Sequence, residues 1–332
     1  MNIRFDLPDE LSASAPPEAR GLARDEVRLL VASPSGVHHT VFSSLGAHLR
    51  PGDLLVVNTS GTLPAAVDAT RAGGPVVVHF ATALDDGAWV VELRAPGGPL
   101  LDGRAGERVD LPGGASLTLR EPFAAGSKRL WRAAVSAPVP GLLVTFGRPI
   151  RYGYVPRAWP LADYQTVFAR EPGSAEMPSA ARPFSASLVV DLVTEGVLFA
   201  PLVLHTGVSS PEAGEPPQPE RFTVPPTTSA LVSWTRSRGG RVIAVGTTAA
   251  RALESSAQLG VASGWTNLVL GPDRPARVVD GIVTGLHAPE ASHLLLLEAV
   301  VGRELVQSAY EAAVERRYLW HEFGDVSLLL RH

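Results

Sequence analysis

The sequence predicts an α/β protein, a mixed, mainly parallel sheet or open-barrel α/β domain that carries an inserted small antiparallel β-barrel. Three observations point there. First, residues 238–255 read Arg-Gly-Gly-Arg-Val-Ile-Ala-Val-Gly-Thr-Thr-Ala-Ala-Arg-Ala-Leu-Glu-Ser: a turn pair, a short β-branched run, a Gly/Thr corner and a strong helix former. Second, apolar runs and helical patterns alternate along most of the chain, which makes parallel strand pairing the default. Third, residues 70–140 change texture into short alternating segments punctuated by glycine turns, the pattern of a small antiparallel barrel or sandwich. The expected division is therefore 1–69 with 141–332 as the α/β part, and 70–140 as the insert.

Taken in order, Val27–Val31 and Asp53–Val57 read as strands, the second entered through the Pro51-Gly52 turn. Asn58 follows at a carboxyl end, where open α/β sheets place ligand groups, although satisfying a turn is an equal use for it. The insert should contain strands near 76–80, 89–93, 108–111, 116–119 and 130–135, separated by Asp86-Gly87, Gly97-Gly98, Gly113-Gly114 and Gly126; His79 and Trp131 read as packing residues. A helix is expected at 185–195, a strand at 197–204, then a proline-rich, lid-like loop at 209–220. A helix near 228–236 feeds the 242–245 strand, followed by a strand at 276–279, helices at 291–301 and 304–317, and a final apolar strand.

Composition bounds the chemistry. The 332 residues contain no cysteine, which excludes disulfides, thiolate catalysis and sulfur-ligated zinc. Net charge is −4, and Lys128 is the single lysine among 29 basic residues. That balance argues against a large phosphate footprint such as DNA demands, while leaving room for a local arginine patch. The longest leucine run, 294–297, ends at Glu298 and is too short to span a bilayer. Early acids and prolines give no leader pattern, so a cytoplasmic location is expected.

The Gly246-Thr247-Thr248 corner is the first candidate site. Backbone N–H groups at a helix start lack intrahelical partners, and with two hydroxyls they suit a carboxylate or phosphate. Simple capping by the threonines is the plainer reading. The stretch Asp163–Gly173 packs aromatic, amide and guanidinium groups into few residues, beyond the needs of a plain core segment.

In series, RPGDLLVVN (50–58), DYQTVFAREPGS (163–174), LHTG (204–207), RVIAVGTTAARALES (241–255), SGWTNL (263–268), VVDGIVTGLHAP (278–289) and YLWHEFGD (318–325) resemble the S-adenosylmethionine:tRNA ribosyltransferase-isomerase family of queuosine biosynthesis. The likeness runs nearly end to end, in order and spacing, and the inserted barrel fits it. It implies an enzyme that takes S-adenosylmethionine as a substrate, needs no metal, and moves the ribosyl part onto an aminomethyl-deazaguanine in tRNA with rearrangement, releasing adenine and methionine. A tRNA or a small-molecule acceptor is then the second partner. A sulfonium acidifies its neighbouring carbon, so a base is required, and an adenine leaving group needs a proton donor.

By that resemblance the catalytic candidates are His205, His287, Glu220 and Asp325, each with a structural alternative: hydrogen-bonded histidine at a strand end, solvated surface carboxylate. The binding candidates are Asn58, Tyr164, Gln165, Thr166, Arg170, Gly246, Thr247, Thr248, Arg251, Trp265 and Thr266. Tyr164 and Trp265 would face adenine or sulfonium or else pack, and Arg251 would hold a carboxylate or pair with Glu254 one turn on. The chain departs from the family pattern at Pro183 and Gly61, where a histidine and a basic residue are expected, and at Ser209–Pro211, Glu215–Pro219 and Gly285-Leu286. The departures cluster at the expected active site. They leave two further readings, a paralogue acting on a small molecule and a non-catalytic nucleoside- or RNA-binding protein.

Overall fold

In the computed structural model, residues 3–96, 98–124, 127–209, 217–289 and 291–332 are described. The main sheet has nine strands in the spatial order Ser263–Thr266, Glu220–Thr223, Leu198–His205, Leu54–Asn58, Val242–Val245, Gly281–Gly285, Val326–Leu330, Arg28–Ser33 and Gly36–Val41. The four strands Leu198–His205, Leu54–Asn58, Val242–Val245 and Gly281–Gly285 are mutually parallel. Antiparallel neighbours flank them on both sides, at Glu220–Thr223 and at Val326–Leu330.

The central strands are apolar without interruption because both their faces are covered. Leu54 and Val56 pack on one side, against the helices Thr247–Leu259, Ser292–Val301 and Arg303–Glu315. Leu55 and Val57 pack on the other, with Phe184, Leu188 and Leu192 of the segment around the helix Ala186–Thr194. Ser185 starts that helix by accepting the Leu188 N–H at 3.1 Å, as its position before the apolar run predicts.

The second sheet closes on itself. Strands Leu130–Val135, Ser116–Pro122, Arg108–Asp110, Ala66–Arg71, Gly74–Ala83 and Trp89–Ala95 form a six-stranded antiparallel ring, completed where Leu130–Val135 meets Trp89–Ala95. Its first strand begins at Ala66, earlier than the change of texture at 70, since Ala66 and Val67 still read as apolar continuation. Trp131 packs in the core of this barrel as expected, whereas His79 is buried against a carboxylate, with Nδ1 3.3 Å from Glu92 Oε2. The ring docks on the rim of the main sheet through Asp85, which receives Trp265 Nε1 at 2.8 Å and pairs with Arg221 at 2.7 Å.

Two expectations are corrected. Residues 276–279 form no strand: the N–H groups of Arg277, Val278 and Val279 all point at the Glu254 carboxylate, at 2.7–2.9 Å, so a side chain replaces a ladder partner. The short strands Gly36–Val41, Glu220–Thr223 and Ser263–Thr266 have too little apolar alternation to show in sequence. Most of the proline-rich loop, residues 210–216, lies outside the described residues, as do Gly97 and Gly126 of the expected turns. Among the described residues no helix is long and apolar enough to cross a membrane.

Candidate active site

The carboxyl ends of the four parallel strands converge on one place, and there the molecule has a cavity of about 600 Å³. Such a volume suits a nucleoside-sized ligand. Of the sequence candidates, Tyr164, Glu220, Gly246, Thr247, Thr248, Arg251 and His287 line it.

The corner after Val245 is built by glycine. Gly246 has φ +94°, a conformation in which a side chain is strained, and a Cβ there would also press Ala180 at 3.3 Å. With that turn made, helix Thr247–Leu259 starts without any side-chain cap, so the threonines do not serve as caps. Its first-turn N–H groups have no carbonyl of their own helix to meet. Thr247 and Thr248 instead present their hydroxyls beside those N–H groups on the cavity wall, an arrangement that favours an anion.

Asn58 holds this corner in place without facing the cavity. Its side chain is fully buried; Oδ1 accepts from Leu204 N at 3.0 Å and Ser60 N at 3.1 Å, and Nδ2 donates to Leu204 O at 2.8 Å and Thr248 Oγ1 at 3.3 Å. One amide thus ties two strands to the helix start.

Arg251 is likewise a positioning group. It is 5% exposed and donates to Leu268 O (3.0 Å), Thr266 O (3.0 Å), Gln218 O (2.9 Å) and Glu220 Oε2 (2.5 Å). The expected Arg251–Glu254 pair is absent because Glu254 is occupied with the backbone of 277–279. Glu220 is no solvated surface group. It starts a strand, pairs with Arg251 and accepts Gly207 N at 3.2 Å, and burial raises its carboxyl above the ordinary range despite the guanidinium.

His287 sits just beyond the strand Gly281–Gly285. Its Nε2 lies 2.9 Å from Thr284 Oγ1, its N–H donates to the Tyr310 hydroxyl at 3.2 Å, and Trp320 Nε1 donates to its carbonyl at 3.0 Å. Its ring stacks on His293 at 4.4 Å with planes 3° apart. Burial, reinforced by His293 and His321, holds it well below the usual histidine range, and burial takes His293 down to about 4. Both rings are therefore neutral near neutral pH.

The remaining candidates lie off this cavity. His205 is turned to Ser60, whose Oγ is 2.7 Å from Nδ1, and burial lowers its proton affinity. Gly173 is required beside it, since a Cβ there would stand 2.3 Å from the ring. Gln165 clamps the backbone of Thr62 through both ends of its amide, at 2.8 and 3.0 Å. Thr166 is buried with its hydroxyl unpartnered, Arg170 is exposed, Trp265 meets the barrel, and Thr266 Oγ1 pairs with Ser255 at 2.5 Å. Asp325 accepts Arg28 N (2.9 Å), the Arg28 guanidinium (2.9 and 3.1 Å) and Leu319 N (2.7 Å), leaving no oxygen for a ligand.

What Asp325 anchors matters more. The turn it closes carries His321, at φ +72°, and Glu322, and both line the cavity. Tyr154 stacks on His321 at 4.1 Å and donates to Glu322 Oε2 at 2.6 Å; Tyr152 donates to Glu176. Burial raises the Glu322 carboxyl to about 7. Sequence reading passed over Tyr152, Tyr154, Glu176, His293, His321 and Glu322. The available signals were a histidine heading a leucine run at 293–297 and a His-Glu pair set between two aromatics at 320–323.

Comparison with known proteins gives the chain its family. A family model described as queuosine biosynthesis protein matches residues 1–329. The chain is 37% identical over 343 aligned positions to the S-adenosylmethionine:tRNA ribosyltransferase-isomerase of Rubrobacter xylanophilus, covering 99% of this chain and 96% of that one. It is 32% identical to the Thermotoga maritima protein of the same name, covering 98% of each. The crystal structure of S-adenosylmethionine tRNA ribosyltransferase from Thermotoga maritima superposes with a TM-score of 0.56 at 29% identity, covering 99% of both chains. A full-length family match, relatives above 30% identity and a shared sheet-plus-barrel architecture together establish that this chain belongs to the S-adenosylmethionine:tRNA ribosyltransferase-isomerase family of queuosine biosynthesis proteins.

Proposed function

We propose that the protein transfers the ribosyl part of S-adenosylmethionine to the aminomethyl group of a 7-deazaguanine in tRNA and rearranges it, with release of adenine and methionine. One observation supports this reading above the others: in a chain of this family, the Gly246-Thr247-Thr248 helix start and the neutral His287 line the same cavity at the carboxyl ends of the parallel strands. The methionine carboxylate rests on the first-turn N–H groups and the two threonine hydroxyls. His287 takes the proton from the carbon that the sulfonium acidifies, a step for which a neutral imidazole is suited near pH 7. Arg251 and Glu220 hold the floor between strand and helix, and Asn58 fixes the corner. The α/β part, 1–69 with 141–332, carries this chemistry, its edge with the barrel adjusted to the first barrel strand at Ala66, and the location that fits tRNA modification is the cytoplasm.

The test is to incubate the protein with S-adenosylmethionine, with and without tRNA bearing the aminomethyl-deazaguanine, and to measure adenine and methionine. Release that requires the tRNA is the expected outcome. Release without tRNA identifies a small-molecule acceptor instead. A salt-sensitive tRNA complex with no release identifies a binding protein.

A further inference from the structure

Opposite the threonine corner, the wall of the cavity has a chemistry of its own. Among the described residues of the whole cavity the carboxyl groups are Glu176, Glu220 and Glu322, and the single guanidinium, Arg251, belongs to the threonine helix and is already paired with Glu220. Two carboxyl groups thus remain without a cationic partner in the wall. Aromatic rings surround them: Tyr152 and Tyr154 lie 6.1 Å apart, and Tyr154 stacks on His321. Tyr164 adds an independent sign of a missing ligand. It is 4% exposed, lines the cavity, and its hydroxyl has no hydrogen-bond partner. A buried hydroxyl left unpaired is unfavourable, so a wall of this kind is shaped for something that binds it.

We propose that this wall is the acceptor-amine subsite, in which Glu322 receives a protonated aliphatic amine among the rings of Tyr152 and Tyr154 while the Tyr164 hydroxyl meets a polar edge of the attached heterocycle. An ammonium beside a carboxylate and aromatic faces is held by charge and by cation–π attraction. Glu322 then takes one proton: ammonium and carboxylate become free amine and carboxylic acid, and the nitrogen lone pair is released for attack. The groups that face Glu322 are Tyr154, Tyr164, Glu176 and, on its own turn, His321. Glu176 and burial raise its proton affinity, which is what a proton acceptor working near neutrality needs. The chemical identity of the amine rests on the function proposed above; the subsite itself rests on the wall.

The experiment is calorimetry on the full chain with the free base 7-aminomethyl-7-deazaguanine as probe, at about pH 5.5 and about pH 8, where Glu322 changes its charge and the amine does not. The wild type should bind at least ~10-fold tighter at the higher pH. Glu322→Gln should lose that gain and flatten the pH dependence. Tyr154→Phe, which removes the donor to Glu322, should keep the dependence and move its midpoint upward. The same base bearing a nitrile in place of the aminomethyl group should bind wild type and Glu322→Gln alike. Equal amine binding by wild type and Glu322→Gln at the higher pH overturns the subsite, as does a pH-independent wild type. Adenine release by the wild type is scored separately: tRNA-dependent release with Glu322-independent binding sinks the subsite alone, and Glu322-dependent binding with no release sinks the transfer reaction alone.

Discussion

The two walls of the cavity are made in different ways. One is the end of a parallel sheet, where Gly246, Thr247 and Thr248 offer neutral donors and buried side chains such as Asn58 and Arg251 are fully engaged. The other comes from turns at 152–154 and 320–325 and from the head of the helix Ser292–Val301, and it holds groups that titrate or lack partners. In the reaction proposed above, the first wall takes an unchanging ligand end, a carboxylate, and the second the part where protons move. His287 stands between them, carried by the sheet yet stacked on His293.

Replacing His287 is the strongest way to test that boundary. His287→Ala should lower adenine release by ~10²–10⁴-fold, the usual range for a lost general base, with an unchanged circular dichroism spectrum. Retained turnover would move the chemistry elsewhere on the second wall. Next, Thr247→Val with Thr248→Val should weaken S-adenosylmethionine binding by ~10-fold or more in calorimetry, because two hydroxyls near a charged group are lost. An unchanged affinity would mean that the first wall holds no carboxylate.

Asp325→Asn separates anchoring from chemistry. It should cost about 1–3 kcal/mol in urea unfolding through the weakened Arg28 contacts, while lowering turnover far less than His287→Ala. The histidines give a pH test of smaller size. Burial holds His205, His287, His293 and His321 below their ordinary values, so the folded protein binds fewer protons than the unfolded chain once the pH falls under about 6.5. Their contribution is therefore lost on acidification. Glu322 runs the other way, its stabilisation present below about 4.5 and lost as pH rises towards 7. His39 and His48 are lowered by burial as well, and Glu220 is raised like Glu322, so six histidines against two carboxyl groups predict a lower Tm at pH 5 than at pH 7, and Glu322→Gln should make that fall steeper. The smallest effect belongs to the dock between barrel and sheet. Trp265→Ala should cost no more than about 1 kcal/mol and leave S-adenosylmethionine binding alone, since its indole reaches Asp85 and not the cavity.

The legible and illegible parts of the sequence divide along the same line as the walls. Parallel strands buried on both faces write themselves as apolar runs, and a Gly/Thr corner after such a run marks a helix start, so 242–248 could be placed from the residues alone. Alternation and turn pairs announced five strands of a small antiparallel barrel or sandwich; the sixth strand, Ala66–Arg71, and the closure into a ring came only with the structure. Asn58 stood out as a polar residue at a strand end and Asp325 through the family resemblance, and both prove to be anchors whose bonds are spent on the protein. The second wall was hidden because its members come from separate stretches, 152–176, the helix head at His293 and the turn at 321–322, each unremarkable locally. Tyr154 needs Glu322, and Tyr152 needs Glu176, before either has a chemical meaning. Residues 276–279 misled for a related reason: their β-branched run is satisfied by a carboxylate from a helix.

The single amide of Asn58 has a consequence in time. Three of its four contacts reach residues 146 and 190 positions away and only the one to Ser60 is local, so most of them do not exist until distant parts of the chain have met. In refolding from urea, helical signal should therefore return ahead of nucleoside uptake, and the interval between the two would measure how long the molecule lives as a sheet without a working mouth.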